Sequence, residues 1–360
     1  TYEEEGIMRK TLKRGAAFCL AAMMALTACG AKSGNSGETG GQAAETKAQA
    51  EEKTEVRHLT LAAVASSSGL FPYCVSIGKV LSTLPELDIT VSESGGNVDN
   101  TQQLRAGEIS IANSISNTDY ESYTGTGSTF KEPFKDFRIL WYYESSPIQI
   151  CVAKDTGIAS LEDLEGQTFN PGGTGTAASV VTHEALDVLG IKPEYFEAAQ
   201  ADAADAYSNR QIVGAVKTGP FPDSYVMQLN TNRPIRMINI PDEQLNTILE
   251  AIPSVKSAVI PAGVYDGVDY EVQTLSTYQG LQVDMSFSQD LVYRMWKAMW
   301  EEEADTWKNA YQIGADNNIP ELTLKAASTP LHAGTVQYLT ELGYEVPQEL
   351  IPEEYVPVNP

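Results

Sequence analysis

Histidine is scarce in this chain, with three among 360 residues: His58, His183 and His332. His183-Glu184 has no second histidine four residues on, so the helical zinc-protease pattern fails, and no Cys/His spacing suggests a zinc site. No Gly-x-Ser-x-Gly elbow is present, which removes the serine hydrolases built on that turn. Basic clusters are missing after residue 14, and the formal charge is -24, a balance that repels phosphate backbones and excludes nucleic acid as a partner. Carboxylates are plentiful, but one sequence does not separate a catalytic pair from a solvated acidic face. No catalytic residue, no metal site and no cofactor is therefore assigned, and an enzyme is not expected. Hydrophobic residues make up 42% of the chain, enough to bury a core in two domains or in one two-lobed body.

What is present begins with an address. From Met8, the basic residues Arg9, Lys10, Lys13 and Arg14 precede an apolar stretch, Gly15 to Leu26, that is shorter than the roughly 20 residues of a membrane span. Leu26-Thr27-Ala28-Cys29-Gly30 then resembles the bacterial lipobox, which makes Cys29 the expected site of lipidation and residues 1–28 a signal peptide with upstream residues. Residues 1–7 contain Glu-Glu-Gly, whose codons are purine-rich, and read as translated ribosome-binding sequence. The segment 29–57 lacks a large apolar residue before Val56 and is expected to be a flexible tether. The protein is thus expected outside the cytoplasm, lipid-anchored at the outer face of the membrane or in the periplasm. Of its four cysteines only Cys74 and Cys151 remain in the body, where they are read as buried, unpaired thiols.

The body alternates strands and helices. "LTLAAVA" at 59–65, "DITVSES" at 88–94 and "ISIANS" at 109–114 are strand-like, with a helix from Val98 to Ala106 stopped by Gly107. The segment 137–155 reads as two strands broken near Ser145-Ser146-Pro147, and 272–284 as two more that return to the first unit. "QIVGAVKT" at 211–218 and "IRMINI" at 235–240 add strands to a second unit. A chain that leaves one α/β unit, builds another and comes back forms a cleft with crossover strands as its hinge. The expected fold is α/β and two-lobed, each lobe a mainly parallel sheet flanked by helices, with 58–145 and 273–360 in lobe 1 and 146–272 in lobe 2. Near the end, "SQDLVYRMWKAMWEEE" at 288–303 carries Leu291, Val292, Met295, Trp296, Met299 and Trp300 at helical spacing, with Ser286 or Ser288 as N-cap, and packing on a sheet is the reading preferred to a ligand box.

"FNPGGTGTAASVV" at 169–181 has the form of an anion loop entering a helix that Gly190 ends. A Walker loop needs a lysine after Gly175, and Thr176 stands there. Gly173 to Ala178 satisfies Gly-x-Gly-x-x-Ala, with Glu194 near the acidic position, so a dinucleotide site stays open on pattern, against an exported setting. A ligand carboxylate held by the helix N-terminus, with Thr174 and Thr176 as hydroxyl donors, is the other reading; a third is that either threonine caps its own helix.

The motifs "SSSGLFPY", "SESGGNVDNTQQLRAGEISIA", "IASLEDLEGQTFNPGGTGT", "IPAGVYDG", "DLVYRMWKAMWE" and "TPLHAGTVQYLTELG" resemble those of the TAXI-type solute receptors, the binding proteins of tripartite ATP-independent periplasmic (TRAP) transporters, over nearly all of 59–345. The resemblance implies a periplasmic-binding-protein-like fold that closes on a small organic acid, a glutamate-like amino acid or a dicarboxylate, and delivers it as a monomer to TRAP permease subunits. It also implies the ligand-facing positions: Ser67, Ser68, Gly69 and Phe71; Ser94, Gly95 and Asn97; Ser116; Tyr143; Thr174, Gly175 and Thr176; and Thr218, Pro220 and Phe221 across the cleft. His332 becomes a packing or helix-start residue. Two departures stand out. Ser67-Ser68 and Leu70-Phe71-Pro72 replace a usual pair of glycines followed by Tyr-Tyr-Pro, and Lys217 falls in a usually apolar strand, where it either runs to the surface or meets a distal ligand carboxylate. A binding lipoprotein that serves a sensor, and an exported enzyme on the same scaffold, are the alternatives.

Overall fold

The computed structural model describes residues 55–358 apart from 67, 69, 128, 174 and 175. The expected signal peptide, Cys29 and the expected tether up to residue 54 lie outside the described residues. Strand β1 (Arg57–Ala62) is followed by α1 (Phe71–Leu81), β2 (Leu87–Ser92), α2 (Asn97–Ala106), β3 (Ile111–Ile115) and α3 (Ser116–Thr124). β1 pairs in parallel with β2 and β3. This is the repeated strand–helix unit that the alternating pattern predicts, and Gly107 ends α2 with a φ of 71° as expected of a left-handed C-cap.

β4 (Phe137–Ala153) then crosses into the second lobe. There the chain forms β5 (Thr168–Phe169), α4 (Ala177–Leu189), β6 (Glu194–Tyr195), α5 (Gln200–Ser208), β7 (Gly214–Thr218), α6 (Ser224–Asn232), β8 (Ile235–Met237), α7 (Asp242–Ala251) and β9 (Lys256–Ile260). β10 (Val272–Asp284) returns to the first lobe, and α8 (Gln289–Lys297), a π-helical turn (Ala298–Glu302), α9 (Ala304–Ala310), α10 (Ile319–Ala326) and α11 (Ala333–Glu341) wrap it. β4 and β10 pair antiparallel along most of their shared length in the first lobe, from Ser276 opposite Pro147 to Asp284 opposite Phe137. In the first lobe β10 alone opposes the common direction of β1 to β4; in the second, β4 and β9 oppose β5 to β8. Each lobe is thus a mainly parallel sheet crossed by a strand from its neighbour.

Two expected breaks do not occur. Ser145-Ser146-Pro147 sits inside one strand, because Pro147 is where β4 exchanges β10 for β7 as its neighbour and a ladder N–H is least needed. Residues 272–284 are likewise one strand, with register shifts at Gln279/Gly280 and Leu281/Gln282 that bend it without ending it.

The core follows the lobes. One cluster joins Leu61, Tyr73, Trp141, Tyr278, Trp296 and Leu339, and includes the apolar stripe of α8. Ser288 is its N-cap and accepts from Leu291 N–H at 3.2 Å, while Ser286 meets Arg57 instead. Two further clusters fill the second lobe, one around Ile148, Val181 and Ile248, the other around Ala203, Ala215 and Tyr265. Cys74 and Cys151 are free and buried in different lobes. Burial raises both thiols, Cys74 up to about 12, which keeps them protonated and inert. His332 caps α11: its Nδ1 accepts from Gly334 N–H at 3.1 Å, its Nε2–H donates to the Phe287 carbonyl at 3.1 Å, and burial brings it down to about 4. It is a neutral helix-start residue, as the resemblance implies.

Candidate functional site

A cleft of about 780 Å³ lies between the lobes at the ends of the strands, large enough for a small metabolite. From the first lobe come Ser68, Gly95, Asn97, Asn117, Glu144 and Gln279; from the second, Gly173, Thr176, Lys217, Thr218, Pro220 and Asp223. The position follows from topology, since parallel strands leave their carboxyl ends and the following helix N-termini on one edge.

The first turns of α2, α3, α4 and α6 border it, and α2 and α4 face it from different lobes. α2 begins at Gly96, whose φ of 109° suits glycine, and no side chain caps its first amides. Its loop is fixed from behind: Asn100 Nδ2 donates to the carbonyls of Ala63 at 2.7 Å and Asn113 at 2.8 Å, and Asn113 Nδ2 donates to Asn97 Oδ1 at 3.2 Å. Opposite stands α4. Gly172, with a φ of 121°, presses on it so closely that a Cβ would fall 2.6 Å from that of Ala178. Thr176 is its N-cap, accepting from Ser179 N–H at 3.3 Å and donating to the Gly173 carbonyl at 2.7 Å. The capping reading of Thr176 is therefore what the structure displays, and its hydroxyl proton is already engaged.

The structure brings Ser68, Gly95, Asn97, Thr176, Thr218 and Pro220 together around the cleft. Ser67, Gly69, Thr174 and Gly175 lie outside the described residues. The remaining expected positions do not line it. Phe71 packs against the first core and Phe221 against the second lobe. Ser94 Oγ donates to the Ala63 carbonyl at 3.1 Å and accepts from Gly96 N–H at 3.2 Å. Ser116, 1% exposed, ties the lobes by donating to the Ser254 carbonyl at 3.2 Å and accepting from Tyr278 N–H. Tyr143 is turned into the core, where its hydroxyl donates to Asn113 Oδ1 at 2.6 Å and its ring lies 4.3 Å from Tyr73. Successive strand residues face opposite ways, so the residue aimed at the cleft is its neighbour Glu144.

The titratable groups of the cleft are mostly carboxyls. Glu144 is 3% exposed, and burial pushes its carboxyl up to about 8 against the opposing pull of Ser146 and Lys217. Glu121, at the mouth, is held up to about 7 by burial and by the charge of Glu184. Lys217 does not run to the surface: it lines the cleft, donates to the Thr218 carbonyl at 2.7 Å and stands 3.8 Å from Asp223. Asn117, Glu144, Gln279 and Asp223 were not foreseen. Glu144 alone left a trace, as the one charge in the strand between Arg138 and Lys154.

Residues 61–343 match the NMT1-like family. The chain belongs to that family. Among solved structures, this NMT1-like protein is similar to a TctC solute binding protein from Polaromonas, at 14% identity over 72% of this chain and 88% of that one, with a TM-score of 0.49. It is also similar to the alkanesulfonate-binding protein from Xanthomonas axonopodis pv. citri bound to MOPS, at 13% identity over 83% and 96%, with a TM-score of 0.41. A third is the probable amino-acid ABC transporter extracellular-binding protein from Bacillus subtilis, at 14% identity over 73% and 99%, with a TM-score of 0.43. Nothing about this chain's ligand follows from theirs at such identities. No helix among the described residues is long and apolar enough to cross a membrane.

Proposed function

We propose that this NMT1-like protein is an extracytoplasmic, lipid-anchored solute receptor that captures a small organic acid between its lobes and delivers it to the permease of a TRAP transporter. The lobes in this reading are 58–145 with 273–360, and 146–272, hinged on β4 and β10. One observation carries it: a cleft of about 780 Å³ receives the N-termini of α2 and α4 from opposite sides, with the Lys217 ammonium beside them. Helix N-termini present unpaired N–H groups and partial positive charge, so together with Lys217 they form a donor set for a carboxylate. The TRAP partner, the lipid on Cys29 and the acid itself come from the motifs and the lipobox.

A thermal-shift panel of amino acids, 2-oxo acids and dicarboxylates tests this, because a ligand that binds the native state alone raises the melting point. At least one acid is expected to raise it, and Lys217→Met to lower that acid's affinity about tenfold or more, the scale of one charge-assisted hydrogen bond. A panel without any shift would count against an acid ligand; an unchanged affinity in Lys217→Met would remove the lysine from the site.

A further inference from the structure

Four side-chain oxygens bordering the cleft are shut off from solvent and have no hydrogen-bond partner among the described residues: Glu144 Oε2, Gln279 Oε1, Asn117 Oδ1 and Glu121 Oε1. The two amide oxygens are acceptors, and the Glu144 carboxyl becomes one when a cation beside it displaces the proton that burial keeps on it. Three of the four adjoin one another by register, since Gln279 on β10 stands opposite Glu144 on β4 and opposite Ile115 on β3, and Asn117 follows two residues later in the first turn of α3. Cross-strand partners of this kind have side chains about 5 Å apart on one face. Glu144 and Asn117 are each 3% exposed, so their lone pairs are not hydrated from outside.

A buried acceptor left unpaired costs about 1–3 kcal/mol, and native proteins keep few of them. An acid that lacks an amine offers this floor further acceptors at neutral pH. An ammonium offers three donors and the counter-charge that a buried carboxylate needs. The donors of the site, Lys217 and the N-termini of α2 and α4, line the same cleft, with Lys217 near enough to act on the Glu144 carboxyl, so one small ligand can present a carboxylate to them and an ammonium to the floor.

We propose that Glu144, with Gln279 and Asn117, forms an ammonium receptor that makes the cleft selective for amino acids over acids of the same shape that lack the amine. This rests on the cleft being the ligand site. Glu144 is then the residue that sets specificity, with Gln279 and Asn117 completing the coordination of the N–H groups.

Calorimetric titration near neutral pH with three matched pairs, L-glutamate and glutarate, L-aspartate and succinate, L-norvaline and valerate, tests the proposal. In at least one pair the amino acid should bind about tenfold or more tightly than its partner, as expected for a charged hydrogen-bond set. Glu144→Gln should abolish most of that ratio by weakening the amino acid while leaving the partner acid within about threefold. If Glu144→Gln does not fold, as judged by circular dichroism, Gln279→Met takes its place, with the same loss of discrimination expected; the wild-type ratio needs no variant. Equal binding within every pair, tighter binding of the amine-free acids, or a ratio unmoved by the folded variant would overturn the ammonium receptor while leaving an acid-binding cleft in place. Absence of binding by all six compounds would overturn both.

Discussion

All four tryptophans of the chain stand in the first lobe, where Trp296 lies 5.4 Å from Trp141 and 5.8 Å from Trp300 between ring centres, and Trp307 carries the contact on to Tyr73. The second lobe has none. Its core is largely aliphatic on one side of the sheet, around Ile148, Val181 and Ile248, and on the other sets Ala203, Ala204 and Ala206 of α5 among the separate rings of Tyr207, Tyr225 and Tyr265. Among the described residues, its ring contact is that of His183 with Tyr195, at 3.9 Å. Rings add about 0.5–1.5 kcal/mol per pair beyond their burial, so the first lobe is the better-braced platform. The site divides the same way: the braced lobe supplies the acceptor floor, and the second lobe supplies Lys217 and the N-terminus of α4.

The largest expected effect sets the two cores against each other. Trp296→Ala removes a fully buried ring that stacks on Tyr338 at 4.9 Å and donates to Thr335 at 2.9 Å, and should cost about 3–5 kcal/mol. Ile248→Ala, equally buried in the second lobe, should cost about 2–3 kcal/mol, toward the low end for its type because the flexible aliphatic side chains around it can settle into the gap. Urea unfolding measures both. β4 and β10 thread both lobes, so each variant should unfold in one transition, with the same midpoint by tryptophan fluorescence, which sees the first lobe alone, and by far-ultraviolet circular dichroism. Separate midpoints would show lobes that unfold independently, and equal costs would erase the contrast.

A second, smaller difference is one of pH. In the first lobe, burial lifts Asp119 to about 7, where its Oδ2 accepts from Tyr142 at 2.6 Å and Ser114 at 3.1 Å; it lifts Glu121 to about 7 and Glu144 to about 8. Each carboxyl holds its proton more tightly folded than unfolded, so its contribution is complete below the ordinary carboxylate range and is lost progressively as pH rises from there through the folded value of 7 to 8. His332 runs the other way: brought down to about 4, it contributes stability above its ordinary 6.5 and loses it as pH falls. The second lobe adds Glu184, also raised by burial, whereas Asp155 is held down to about 2 by Arg233 and Arg210 and stays out of the window. On these groups the melting temperature should be highest near the ordinary carboxylate range and fall as pH rises to about 8, by up to about 1.4 kcal/mol per pH unit for each proton the folded state holds in excess, His332 offsetting one of them. Asp119→Asn should flatten that fall, and a profile level across the range would refute the assignment.

What the residues disclose in advance is largely what repeats or punctuates. Strand–helix alternation, the stops at Gly107 and Gly190, the Ser288 cap and the stripe of α8 are local patterns with local causes, and the structure places them as the spacing predicts. Where a strand continues is less local. Ser145-Ser146-Pro147 reads as an interruption and 272–284 as two strands, yet each segment is one strand whose neighbours are not visible along the chain. The site shows the same limit in sharper form. Tyr143 and Glu144 differ by one residue, and one step along a strand exchanges core for cleft. Glu144, Gln279 and Asn117 are far apart in sequence and meet through the register of three strands.

The smallest effect concerns the loop that first suggested an anion. If Thr176 serves the second lobe as the cap of α4, Thr176→Val should cost about 1 kcal/mol and Thr176→Ser almost nothing, since serine keeps the acceptor for Ser179 N–H. Amide exchange should then quicken in the first turn of α4 while the first lobe is unchanged. Because the hydroxyl proton already goes to the Gly173 carbonyl, the affinity for an acid should fall by less than about threefold, the part that the loosened helix N-terminus accounts for. A tenfold or larger fall without loss of stability would mean that the hydroxyl turns to the ligand when the lobes close, and the second lobe would then contribute a side-chain donor beside Lys217 in place of a helix end alone.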